Sequence, residues 1–331
     1  MRDTPSKPVR RGLMRGAALI GVAALAAPVR AAEPEPGLDG NGMPYAAFDR
    51  LPFETVEVDG GRIRVACGPG DFELPRERII EYVRQSARSV AVYFGRFPAS
   101  RLRLLVLHTS RPGRPIRSGT TFGYGGAAIK LTLAASATAS DLEQDWILVH
   151  EMSHVALPSL PRRQHWFEEG MATYVEPLAR AQAGRLSIER VWGDMVRGLL
   201  RGLPEAGDEG LDHTPTWGRT YWGGALFCLL ADVETREATA GRSSLQQALR
   251  AILAHANIEH ESALEPLLQI GDAATGVPVL AGLYARMKDA PYPVDLGRLW
   301  SRLGVRASAG GIEFDDGAPL AALRQALTRR L

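Results

Sequence analysis

The residues best suited to chemistry in this 331-residue chain lie between positions 141 and 176. His150-Glu151-Met152-Ser153-His154 has the form H-E-x-x-H. Residues four apart share a helix face, so His150 and His154 can present two imidazoles to one metal ion while Glu151, one step round, faces a water bound to that ion. Such a set suits Zn2+ and general-base activation of water. A catalytic zinc takes three protein ligands and keeps one position open, so a third donor is required. Glu169 is the candidate, with Glu168 as its rival, in Trp166-Phe167-Glu168-Glu169-Gly170-Met171-Ala172. Glu176 follows on the same helical face as Glu169, placed either to orient an imidazole or to form an ion pair. Tyr221, in Arg219-Thr220-Tyr221-Trp222-Gly223-Gly224-Ala225-Leu226, is a candidate donor to an oxyanion.

These side chains need helices to hold them. Ser140 and Glu143 read as a capping-box pair opening one helix whose apolar face is Leu142, Trp146, Ile147, Val149 and Val155, and which Pro158 ends. A second helix over about residues 167–183 carries Glu169, with Pro177 inside it and Gly184 at its end.

At these residues the sequence resembles the gluzincin metallopeptidases, zincins whose third ligand is a Glu on a second helix. The segment WFEEGMATYVE, Trp166 to Glu176, is similar to W-L-N-E-G-F-A-[ST]-Y-V-E of the alanyl aminopeptidase family, in which the Glu before Gly binds zinc. The resemblance therefore implies Glu169 rather than Glu168. Tyr221 falls where that family and the glycyl aminopeptidases have Y-x-K-G-A-L with a transition-state tyrosine, although Gly223 stands here in place of the lysine. A histidine donor, as in thermolysin-like enzymes, would be His213, which reads first as a loop histidine. The resemblance spans about 90 residues. The spacing of 14 residues between His154 and Glu169 is shorter than in the alanyl family, and no G-A-M-E-N segment is present. This compactness is similar to that of smaller peptidase MA-like domains and leaves aminopeptidase and endopeptidase action both open.

The implied fold is α+β and thermolysin-like: a small mixed β-sheet lobe over residues 51–135, then a mainly helical lobe over 136–331, with the zinc site in the cleft between them. The implied activity is hydrolysis of a peptide or protein substrate by a zinc-activated water, with Glu151 as general base. The same constellation would serve a zinc hydrolase of a non-peptide substrate, or persist in an inactive peptidase-like binding module.

Elsewhere, hydrophobic and charged shares of 45% and 23% suit a soluble globular protein with a sizeable core. Arg10-Arg11-Gly12-Leu13-Met14-Arg15 precedes an apolar run over residues 17–27 and an A-x-A-like site at Val29-Arg30-Ala31, so residues 1–32 read as an export signal of twin-arginine or general type. Export to the periplasm or beyond follows. The apolar run is too short for a membrane span, so none is expected after cleavage; an uncleaved amino-terminal anchor is the rival reading. Residues 1–32 hold six basic groups and one acid, and their removal turns the net charge of +2 into −3. No basic stripe is left to bind nucleic acid.

Residues 33–50, rich in Pro and Gly, read as a linker. A β-hairpin over residues 54–67 turns at Asp59-Gly60-Gly61, a helix of about twenty residues follows Pro75, and strands are expected over 101–108 and 129–133. In gluzincins the strand bordering the cleft pairs with extended substrate, and residues 123–128 are either that strand or a glycine-rich turn. Helices are expected over 188–203, 221–236, 245–256 (capped by Ser243 and Gln246), 280–288, 296–303 and 319–330. Trp166, Trp217 and Trp222 read as packing residues, and His108, His165, His255 and His260 show no ligand spacing. Cys67 and Cys228 lack metal-ligand spacing and read as free thiols ahead of a disulfide.

Overall fold

The computed structural model describes residues 37–38 and 40–331, so the expected export signal lies outside the described residues. Its first half contains α1 (Tyr45–Arg50), β1 (Phe53–Val58), β2 (Gly61–Cys67), α2 (Arg76–Phe94), β3 (Arg101–Thr109), β4 (Ile116–Phe122) and β5 (Ala128–Ala134). The strands form one mixed sheet in the order β1-β2-β3-β5-β4. β1 and β2 are the expected antiparallel hairpin, β2, β3 and β5 run parallel, and β4 returns antiparallel at the edge.

Alternation along the strands sorts residues between two faces. Ile63, Val65, Leu104, Val106, Ile129 and Leu131 join the main core with Ile79, Val83 and Val90 of α2. Each such side chain contributes about 1.5–3 kcal/mol by leaving water. Ala66, Leu105 and Ala128 point to the other face, where Met43 and Phe48 cover them. The Pro- and Gly-rich stretch before the sheet thus carries a short helix seated on the back of the sheet.

The edge strand β4 was not legible as a strand, because Ile116-Arg117-Ser118-Gly119-Thr120-Thr121-Phe122 has little apolar alternation. It borders the cleft, while residues 123–126 form the glycine-rich turn that joins it to β5.

The second half is mainly helical: α3 (Ala139–Gln144), α4 (Ile147–His154), α5 (His165–Gln182), α6 (Ile188–Gly198), α7 (Gly224–Ala238), α8 (Leu245–His255), α9 (Leu264–Thr275), α10 (Val279–Met287), α11 (Leu296–Leu303) and α12 (Ala321–Thr328). A small antiparallel hairpin, β6 (Val305–Ser308) and β7 (Gly311–Phe314), interrupts them. Helix α9 and this hairpin escaped the sequence reading.

The helix expected to begin at Ser140 and run through the histidines is two helices. Thr138, not Ser140, is the cap, and it exchanges hydrogen bonds with Asp141. The chain turns extended at Asp145, whose carboxylate accepts the Leu148 N–H at 3.1 Å and the Tyr82 hydroxyl, so a new helix starts there. Likewise Ser244 rather than Ser243 caps α8, accepting the Gln247 N–H at 3.2 Å. Both cysteines are free thiols, with Cys228 fully buried. No helix among the described residues is long and apolar enough to cross a membrane.

Candidate active site

Helices α4 and α5 pack against each other, and their facing sides bring His150, His154 and Glu169 together. The Nε2 atoms of the two histidines are 3.2 Å apart, and Glu169 Oε2 lies 3.2 Å from His150 Nε2 and 3.6 Å from His154 Nε2. All three donor atoms fall within 4.8 Å of one another. Tetrahedral ligands held about 2.0–2.1 Å from a zinc ion stand roughly 3.3–3.4 Å apart, so this set fits the ion. A proton between the two ring nitrogens satisfies only one contact, whereas a cation satisfies all three donors.

Burial works to lower the His154 pKa, but the hydrogen bond and negative charge of Glu169 outweigh it and raise the value to about 9. Burial likewise works to raise Glu169, and its hydrogen bonds to His150 and His154 hold it well below the usual carboxylate range. The pair thus already balances positive against negative charge where a cation would sit.

Glu168 points elsewhere. Its Oε1 accepts the Leu160 N–H at 2.9 Å and its Oε2 meets His165 Nδ1 at 2.9 Å. The other ring nitrogen of His165 stands 3.3 Å from Glu169 Oε1, which places His165 beside a candidate ligand despite its unpromising spacing. Glu176 forms a buried ion pair with Arg180 at 2.8 Å. Glu151 lines the cleft and meets the Thr121 hydroxyl at 2.8 Å.

Tyr221 arrives on a π-helical turn, Gly218–Gly223, which runs directly into α7. Such wide turns recur at functional sites because the extra residue re-aims a side chain. The Tyr221 ring stacks near that of His150, with centroids 6.3 Å apart and planes 19° from parallel. Burial, then the charge of Glu169, push its pKa up to about 12, so the phenol keeps its proton at neutral pH.

Two devices hold this turn. Arg219, buried, pairs with buried Asp208 at 2.6 Å and donates to the Gly202 carbonyl. Gly170 and Gly224 let α5 and α7 touch backbone to backbone, since a Cβ on either would collide with the other chain segment. Gly170 directly follows Glu169, so the same close approach brings Tyr221 to the candidate ligand.

His213 does not reach the cleft lining; it pairs with Asp289 at the surface at 2.9 Å. Trp166 packs in the core and donates to Asp212, as a packing residue should. Trp217 does not: it is 57% exposed and stacks on Tyr221. Trp146, read as part of an apolar helix face, is 45% exposed and stands edge-on to His150. Neither exposure could be read from spacing, because both follow from where the helices stop.

The cleft has a volume of about 980 Å³. The edge of β4, unpaired among the described residues, forms one wall, α4 and α5 the floor, and residues 258–261 between α8 and α9 one end. No protein-family model matches the sequence, and no curated protein matches it at the sequence level. Solved structures do match the fold. An aminopeptidase N family protein from Idiomarina loihiensis superposes with a TM-score of 0.57 at 15% identity, over 77% of this chain and 49% of that one. An M1 zinc metallopeptidase mutant from Deinococcus radiodurans gives 0.47 at 18% identity, over 74% and 53% of the two chains. A form of that enzyme bound to a Tyr-Ser-Ala substrate gives 0.47 at 16%, over 74% and 53%. The first of these carries the comparison: the fold is α+β, a mixed sheet followed by a helical region, similar to that of this aminopeptidase N family protein. The chain spans about half the length of the structures it matches.

Proposed function

We propose that the protein is a zinc-dependent metallopeptidase that hydrolyses peptide bonds in a peptide or protein lying along β4. The observation that carries this reading is the convergence of His150, His154 and Glu169 beside Glu151 on the floor of an open cleft. When bound by these three residues, zinc would supply Lewis acidity, polarising a carbonyl and making water more acidic.

The remaining work falls to the chain. Glu151 accepts the proton of the attacking water and passes it to the leaving nitrogen. Tyr221, protonated throughout the neutral range, donates to the carbonyl oxygen as negative charge gathers there. The edge of β4, unpaired among the described residues, offers backbone donors and acceptors to an extended peptide, which adds as a further strand. In this reading residues 51–135 and 136–331 are the two walls of the cleft, and residues 1–32 direct export.

Zinc content of the purified chain, beside Glu169→Ala and Glu168→Ala variants, tests the site, and cleavage of a peptide library tests the activity. About one zinc per chain is expected, lost in the Glu169 variant alone. Glu151→Gln should retain zinc and lose turnover by about 10³-fold. A wild-type chain that takes up no added zinc would sink the proposal.

A further inference from the structure

The edge strand does more than wall the cleft. Residues 119 and 121 of β4 share the strand face turned toward α4, and both meet Glu151. We propose that Thr121 is a positioning residue for Glu151: its hydroxyl holds one carboxylate oxygen, and Gly119 leaves the space the carboxylate occupies. This inference rests on the metallopeptidase reading and concerns how its base is aimed.

Thr121 Oγ1 lies 2.8 Å from Glu151 Oε2 and 2.8 Å from the Glu151 backbone carbonyl oxygen. A hydroxyl has one proton, so it donates to one of the two. A bond to an ionised carboxylate is roughly twice as strong as a neutral one, which favours Oε2. The nearby carbonyl then marks how closely the strand is seated on the helix. With Oε2 held, Oε1 is left to accept a proton from the cleft.

Gly119 acts from the other side. A Cβ at that position would run into Glu151 Cγ and stand 2.9 Å from Cδ and from Oε1. Any side chain there would press on the carboxylate in this position, so Gly119 and Thr121 together favour the observed placement of a flexible side chain. A peptide added to β4 would be aligned on the same strand that aims the base, and errors of register between substrate and base would be suppressed. Positioning of this kind matters because a displacement of about 1 Å can cost about 10²-fold in rate.

The test compares the zinc-loaded full chain with Thr121→Val, Thr121→Ser and Gly119→Ala. Valine keeps the β-branched shape and removes the proton, whereas serine keeps the proton. Crystal structures of the wild type and the valine variant should show the Glu151 carboxylate leaving its position. With peptide substrate, kcat of the valine variant should fall about 10–100-fold while KM stays within about twofold and zinc content is unchanged. Serine should restore kcat to within about threefold of wild type, and Gly119→Ala should mimic valine. A valine variant with Glu151 unmoved and kcat intact would overturn the proposal. So would one that loses stability with Glu151 unmoved, because the hydroxyl would then only fasten strand to helix. If the wild type binds zinc and cleaves no peptide, the metallopeptidase reading fails, and the crystallographic comparison still decides whether Thr121 holds Glu151.

Discussion

The helices α4 and α5 and the π-turn Gly218–Gly223 serve the same cleft by different means. His150, Glu151 and His154 are placed by ordinary helix geometry within eight residues, and Glu169 by one helix–helix contact. Tyr221 depends on a wide turn, on the buried ion pair of Arg219 with Asp208 before the turn, and on the contact of Gly224 with Gly170 of α5. Helical placement is local and robust, whereas placement of the turn is non-local and can be broken far from the chemistry.

The sharpest way to break the turn without touching the helices is Arg219→Met. Asp208 would be left buried and unpaired, a loss of about 3–5 kcal/mol in unfolding free energy. Urea unfolding of the zinc-loaded chain measures it, and a loss below about 1 kcal/mol would mean that the turn does not depend on this pair. Zinc affinity should change far less, since the three proposed donors lie on the helices.

Tyr221→Phe separates the chemistry of the turn from its stability. It should lower kcat by about 10²-fold, close to 3 kcal/mol of barrier, with zinc content and folding unchanged. An unchanged kcat would remove Tyr221 from the mechanism.

Gly170→Ala attacks the contact that joins the two regions. The added methyl must separate α5 from the Gly224 backbone, at a cost of about 1–3 kcal/mol seen as a lower unfolding midpoint. Tyr221 should withdraw from Glu169, so kcat should fall together with stability.

A last effect belongs to α5 alone. Burial lifts the Glu176 carboxyl to about 7 against the opposing pull of Arg180. Because this lies above the ordinary value of 4.5, the contribution of Glu176 is fully present below about 4.5 and is lost as pH rises through about 7. Unfolding free energies of Glu176→Gln and wild type, compared at pH 4.5 and 8, should therefore shift in favour of the variant at the higher pH. A difference independent of pH would show that Arg180 keeps the carboxylate ionised throughout.

Much of this was legible before any coordinates. H-E-x-x-H spacing, the β1–β2 hairpin and α2 follow from periods of four or two residues and a local turn, and the Glu168-Glu169 pair from residue type alone. Helix propensity and apolar spacing could not reveal that Asp145 splits the expected helix, because that break is a side-chain contact with Tyr82 and the next helix's N–H. Nor could they locate β4, whose polar residues earn their place by pairing with β5 and meeting α4.

The sequence by itself determined which residues could act as donors, base and hydroxyl, because residue type and local spacing are properties of the chain. Only the tertiary structure set Glu169 rather than Glu168 beside the two imidazoles, paired His213 with Asp289, exposed Trp146 and Trp217, and brought Thr121, Gly119 and His165 to their partners. Those outcomes depend on how close two backbones can come and on which buried polar groups then find partners, and such distances are set by elements far apart in the chain.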